Sequence, residues 1–260
     1  MSVEIKKRNP IEQFAQSAEN VINKNTNSAI RAIQEQAKSD LQNSQFPTLK
    51  TEEWKYTNLN KFLANEFVHT SALDKVELKK TEIDALVFDS FDSHVLVVIN
   101  GVFNKDLSSF SEVSDKVTIS TISEAIISND EEVTKYFSKV SINNSVFDFL
   151  NLSNFVDGLY INIPANVIIE KPFQIINING SKVEKSFSSS RNLIIAGKHS
   201  QSTFVQKSVG LEGNLYFNNI SSEFVVAENC ILNFYNVELD NDDSFHIEKT
   251  DVLQKRDSQF

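Results

Sequence analysis

Hydrophobic and polar positions follow two different rhythms along the chain. Ile11, Phe14, Ala15, Ala18, Val21 and Ile22 recur at helical spacing, and so do Ile30, Ile33, Ala37 and Leu41 after the break Lys24-Asn-Thr-Asn27. This spacing predicts two amphipathic helices, the first capped by Asn9 with Pro10 at its first position. Beyond Val156 the apolar residues instead alternate or gather in short β-branched and aromatic runs: Leu159/Ile161/Ile163, Val167–Ile169, Phe173–Ile178, Leu193–Ile195, Thr203–Val205, Glu223–Val226 and Cys230–Tyr235. Such runs predict strands.

Between the two regimes the pattern is mixed. Pro47 stops the second helix, and Thr51 is suited to cap a further one that carries Glu52 and Glu53 in its first turn and Trp54, Leu59, Phe62, Leu63 and Phe67 on an apolar face. Residues 73–90 predict one short helix. Val95–Ile99, Asn100-Gly101 and Val102-Phe103 read as strand, tight turn and strand. Val117–Ile119 is a further strand, Thr121-Ile-Ser-Glu124 a capping box, Asp130 the cap of a helix with Val133, Tyr136, Phe137 and Val140 inward, and Ser145–Phe155 a buried helix or turn.

The β region carries a periodicity of its own. Polar corners at Asn166, His199 and Asn229 lie 33 (199 − 166) and 30 (229 − 199) residues apart, each with an apolar strand on either side. A sandwich and a solenoid both accommodate short strands at even spacing. The repeating strand–corner–strand unit and the scarcity of hairpin signals favour the solenoid. Asn177, Asn179, Asn218 and Asn219 are also suited to corners. The expected class is α+β, mainly β. Residues 1–156 form an N-terminal helical region with a small strand-turn element, and residues 157–260 the N-terminal part of a right-handed parallel β-helix.

Composition narrows the function. The net charge is −10, and no Lys/Arg cluster with interleaved aromatics is present, which argues against nucleic acid. Met1–Arg8 has charges with no apolar run behind it, and no stretch approaches a membrane span. With its single cysteine, Cys230, the chain has no internal disulfide, consistent with a cytoplasmic protein.

Several stretches carry a resemblance. Pro47-Thr48 followed by Glu53-Trp54-Lys55-Tyr56-Thr57, then Val97-Val-Ile-Asn-Gly-Val-Phe103, Ser120–Ile126, Asp157–Pro172 and Lys255-Arg-Asp-Ser-Gln-Phe260 resemble, in the same order, segments of the SufB/SufD family of iron–sulfur cluster assembly proteins. The Asn-Gly and Lys-Thr-Glu-Glu-Trp features are closer to its SufD branch. The resemblance implies a non-catalytic scaffold subunit of a SufBCD complex, working with SufB-like and SufC-like ATPase subunits. The iron–sulfur cluster is then handled by the complex, with no cofactor bound by this chain alone. Family members continue past the R-D-S-x-F segment through the rest of the β-helix and a C-terminal helical region. The 260-residue chain is therefore expected to be a fragment, prone to self-association and weak in ATPase binding.

No catalytic, cofactor or metal residue is assigned from the residues themselves. One cysteine is too few for a cluster, so Cys230 reads as a small buried hydrophobe. His69, His94, His199 and His246 lack the spacing of a zinc site; His246 is singled out because it adjoins the acidic loop Asp240–Asp243. That loop departs from the calcium-loop pattern, and Gly197-Lys198 departs from the phosphate-loop pattern. A β-solenoid binding or adhesion module for carbohydrate or another protein, and a polysaccharide lyase, are the competing classes. Neither accounts for the Trp54 signature.

Overall fold

The structure, a computed structural model, describes residues 9–72, 76–113, 115–142, 144–181, 185–211, 215–242 and 244–260. Helix α1 (Pro10–Lys24) starts where the Asn9 side chain accepts from the Ile11 N–H at 3.1 Å, and α2 (Ser28–Gln42) where Asn27 accepts from Ala29 and Ile30. Both bury the expected apolar faces.

The segment after Pro47 departs from the expectation. Glu52–Trp54 make one 3-10 turn, and Thr51 turns back to accept from the Thr48 N–H instead of capping it. A single turn gains few backbone bonds. The half-buried Trp54 ring stacks on Phe147 with centroids 5.2 Å apart, and this contact shapes the turn. One-turn α3 (Asn60–Leu63) and β1 (Val68–His69) follow, with Phe62 and Phe67 buried. Within the 73–90 stretch α4 (Lys80–Asp84) is the predicted short helix; residues 73–75 lie outside the described ones.

Strands β2 (His94–Ile99) and β3 (Val102–Ser109) form the predicted hairpin. Its turn residues Asn100 and Gly101 both have positive φ, 49° and 81°, as a type I′ turn requires. Next come β4 (Thr118–Thr121), α5 (Ile122–Ile127) with its Thr121/Glu124 capping box, α6 (Glu131–Tyr136) capped by Asp130, and α7 (Val146–Asn154).

The chain then coils. Strands β5 (Gly158–Ile163), β7 (Ser186–Ala196), β9 (Tyr216–Val226) and β11 (Phe245–Gln254) stack in parallel as one sheet. Strands β6 (Phe173–Asn179), β8 (Gln201–Gly210) and β10 (Ile231–Leu239) stack as the other, which β2 extends in parallel beyond β6. The result is a parallel β-solenoid of about three turns. β3 and β4 add to its first coil antiparallel to β2 and β5, and so cover the starting edges of both sheets.

The corners at Asn166, His199 and Asn229 are real. All three have left-handed backbone (φ 64°, 59° and 56°), and Asp257 continues the column at 55°. Each N–H in the first three donates to the next corner along, to Lys198, Glu228 and Arg256 carbonyls respectively. Asn177, Asn179, Asn218 and Asn219 are not corners. They are buried inside β6 and β9, where neighbouring coils offer Ser208, Gly210, Ser188 and Ser189 in register. Asn218 stacks on Ser188 of the preceding coil, and Asn219 faces outward, where its Nδ2 donates to the Phe147 carbonyl of α7 at 2.9 Å.

Helices cover the outer face of the first sheet. Phe187 and Phe217 pack with Phe14 of α1 and Phe147 of α7, while Leu193, Ile195 and Val225 pack with Ile30 and Ala37 of α2. At about 1.5–3 kcal/mol per fully buried large apolar side chain, these contacts hold the helices far more strongly than helix propensity does.

Candidate functional site

The space between the sheets has two unlike edges. Along the left-handed corners it is apolar: Ile194, Phe204, Phe224 and Leu232 share one cluster there with Cys230. Strand alternation puts Asn177, Asn179, Gln206, Ser208, Ser190 and Asn218 on the same inner faces, toward the opposite edge. Both side-chain atoms of Asn177, Nδ2 of Asn179 and Asn218, and Oγ of Ser208 have no hydrogen-bond partner among the described residues, yet all four side chains are buried. Each such group gains on the order of 1–3 kcal/mol from a polar neighbour. The strip is therefore suited to water or a polar ligand.

A charged cluster closes this strip at the last coil. His246, on the inner face of β11, has Nδ1 2.6 Å from Asp240 Oδ2 and Nε2 3.1 Å from Glu248 Oε2. Gln206 Nε2 donates to Glu248 Oε1 at 2.7 Å and Asn236 Nδ2 to Glu248 Oε2 at 2.9 Å. The Tyr216 hydroxyl donates to Asp240, and Asn236 reaches Glu238 at 3.3 Å. Burial works against a charged His246, but its bonds to Asp240 and Glu248 outweigh that and raise its pKa to about 9. Burial, and then Asp240, push the Tyr216 hydroxyl well above its ordinary value.

A second ionic group lies on the outer face of the first sheet. Arg191 and Glu223, each 1% exposed, stand 3.7 Å apart. Arg191 donates to Asn151 of α7 at 3.0 Å. Glu223 accepts from the backbone N–H groups of Ser138, Val140 and Ser141 at 2.7–3.0 Å. This pair ties the segment after α6 to the solenoid, a structural task.

The remaining candidates scatter. Cys230 is fully buried beside Ser200, and burial raises its thiol pKa. His69 and His94 are buried, and burial lowers both pKa values. His199 and Lys198 are exposed at a corner; Lys198 pairs with Glu228. Of the acidic loop, Asp240 joins the cluster and Asp243 lies outside the described residues. Glu238 and Glu248 went unnoticed in the sequence. Their signal is a run of inward polar positions, 236, 238, 246 and 248, where earlier coils place Gln206, Ser208 and Asn218. The signature around Trp54 lines an open groove of about 680 Å³ with Val146 and Phe147 of α7.

Comparison with known proteins agrees with this architecture. Residues 6–175 match the SufBD protein N-terminal region, and residues 177–260 match the SufBD core domain of the SUF system for FeS cluster assembly. An iron–sulfur cluster assembly SufBD family protein of Synechocystis sp. is 26% identical over 244 residues, which is 90% of this chain and 53% of that protein. The chain thus spans about half the length of the curated relative it matches. The N-terminal region's match includes α1 to β5 and most of the first coil's strands, so the two matched regions meet inside the solenoid. With both regions matched in series over a helix-covered parallel solenoid, the chain belongs to the SufBD family of iron–sulfur cluster assembly proteins.

Proposed function

We propose that the chain is a non-catalytic scaffold subunit of the SufD branch, acting in the cytoplasm within a SufBCD-type complex beside SufB-like and SufC-like ATPase subunits. The observation that carries this reading is the serial match of both family regions to one continuous solenoid. The Asn100-Gly101 and Lys50-Thr-Glu-Glu-Trp54 features of the sequence are what favour the SufD branch in this reading. Cluster ligation needs about four thiolates, or two with two histidines. This chain has one cysteine, so the cluster belongs to the assembly and not to the isolated subunit. Among the described residues no helix is long and apolar enough to cross a membrane.

The test is affinity purification of the tagged gene product from its own cells under anaerobic conditions. SufB-like and ATPase subunits are expected to co-purify, and deletion of the gene is expected to lower the activity of iron–sulfur enzymes. Recovery of neither subunit, with those enzymes undiminished, would overturn the proposal. So would ATP hydrolysis by the isolated chain.

A further inference from the structure

We propose that Glu238, His246 and Glu248 bind one divalent first-row transition-metal ion, and that Asp240 positions the imidazole for it. One ligand atom from each of the three lies within 4.8 Å of the other two. Metal–ligand bonds of about 2.0–2.2 Å need ligand atoms about 3–3.5 Å apart, so closing the site requires only side-chain rotation. Glu238 is exposed, and among the described residues its side chain is held by Asn236 alone, which leaves it free to swing in.

The surroundings are those of a metal site. Asp240 accepts from the Nδ1–H of His246, which sets the tautomer and turns Nε2 toward Glu248. A carboxylate behind a metal-bound histidine does this same work. Gln206 and Asn236 hold the two oxygens of Glu248 from the neighbouring strands. Asp240 and Glu248 share the one imidazole of His246, and the Glu238 carboxylate lies within 4.8 Å of it, so negative charge is in excess there. A bound ion takes the place of the proton between Nε2 and Glu248 and balances that charge.

The register supplies an independent observation. Asn218 lies directly across from His246 in the preceding coil, and Ser208 directly across from Glu238. Both are completely buried on the inner face, and Asn218 Nδ2 and Ser208 Oγ lack partners among the described residues. Strands stand about 4.8 Å apart, so each of these two residues is one strand spacing from a proposed ligand residue. Imidazole with carboxylates suits Mn²⁺, Fe²⁺ or Zn²⁺; an all-oxygen set would suit Ca²⁺, and thiolates Cu⁺.

The inference is independent of the scaffold reading, because its test contains neither partner protein nor cluster. The chelator-treated 260-residue chain is titrated with Mn²⁺, followed by electron paramagnetic resonance, and with Zn²⁺ against a chromophoric chelator. One ion per chain is expected, at micromolar affinity or tighter. His246→Ala and Glu248→Gln are expected to weaken binding at least about 100-fold, and Asp240→Asn about 10–100-fold. Exposed Glu238→Gln, which leaves the fold intact, is expected to weaken it at least about 10-fold, and Lys198→Ala not at all. Absence of binding below millimolar metal would overturn the site. Binding unaffected by both His246→Ala and Glu238→Gln would show adventitious contact with surface acids and overturn it equally.

Discussion

His69 shows how much one buried side chain can reveal. Its Nε2–H donates to the Asn154 carbonyl at 2.9 Å, while Nδ1 accepts from the Ser71 N–H at 3.1 Å. A nitrogen that accepts from a backbone N–H carries no proton, so the ring is neutral. Burial is the main cause of its low pKa, about 4 against an ordinary 6.5. Below 6.5 the unfolded chain binds a proton that the folded chain refuses, so stability falls with pH through the window from 6.5 to about 4. Urea unfolding should show a loss of about 2 kcal/mol from this group between pH 7 and pH 5, and His69→Gln should remove it. An unchanged slope in the variant would refute the assignment. Gly158 is a second single-residue constraint. A Cβ there would lie 1.7 Å from the Arg191 carbonyl oxygen, inside the β5–β7 pairing. Gly158→Ala is therefore expected to cost more than about 3 kcal/mol or to abolish folding. A thermal midpoint within a few degrees of the parent would contradict that packing.

Among the elements, the exposed faces of the helices matter less than the joints between them. Glu223 of β9 takes three backbone N–H groups from residues 138–141, and Arg191 of β7 reaches Asn151 of α7. Removing one member of a buried pair leaves the other uncompensated, at about 3–5 kcal/mol, whereas replacing both with apolar residues costs much less. Glu223→Ala should thus destabilise strongly and expose the segment 138–141 to limited proteolysis. Adding Arg191→Met to it should restore part of the stability. If the double variant is as unstable as the sum of the two single ones, the pair is not coupled as the geometry indicates.

For the whole molecule, pairing sets the order of stability. Among the described residues of this chain β7 and β9 are paired along both edges, whereas β10 pairs with β8 and β11 with β9 on one edge apiece, apart from the isolated bridge from Ile231 to Gln259. Hydrogen exchange should therefore be slowest in β7 and β9 and faster in β10 and β11. Equal protection in β9 and β11 of the 260-residue chain would mean that the last coil is paired in solution.

Local pattern was sufficient for the caps at Asn9, Thr121 and Asp130, the Asn100-Gly101 hairpin, the inward stripes of α1 and α2, and the corner column at 166, 199 and 229. Each rests on spacing or on backbone preference within a few residues, which the order of residues alone carries. The one-turn helix at Glu52–Trp54, the buried asparagines of β6 and β9, and the meeting of Glu238, His246 and Glu248 were decided by the tertiary structure. Trp54 answers to Phe147, Asn218 to Ser188 a full coil away, and Glu248 to Gln206 42 residues back in the chain. Coil stacking turns a distance of about 30 residues into one strand spacing, and spacing along the chain does not reveal which polar residues will stack.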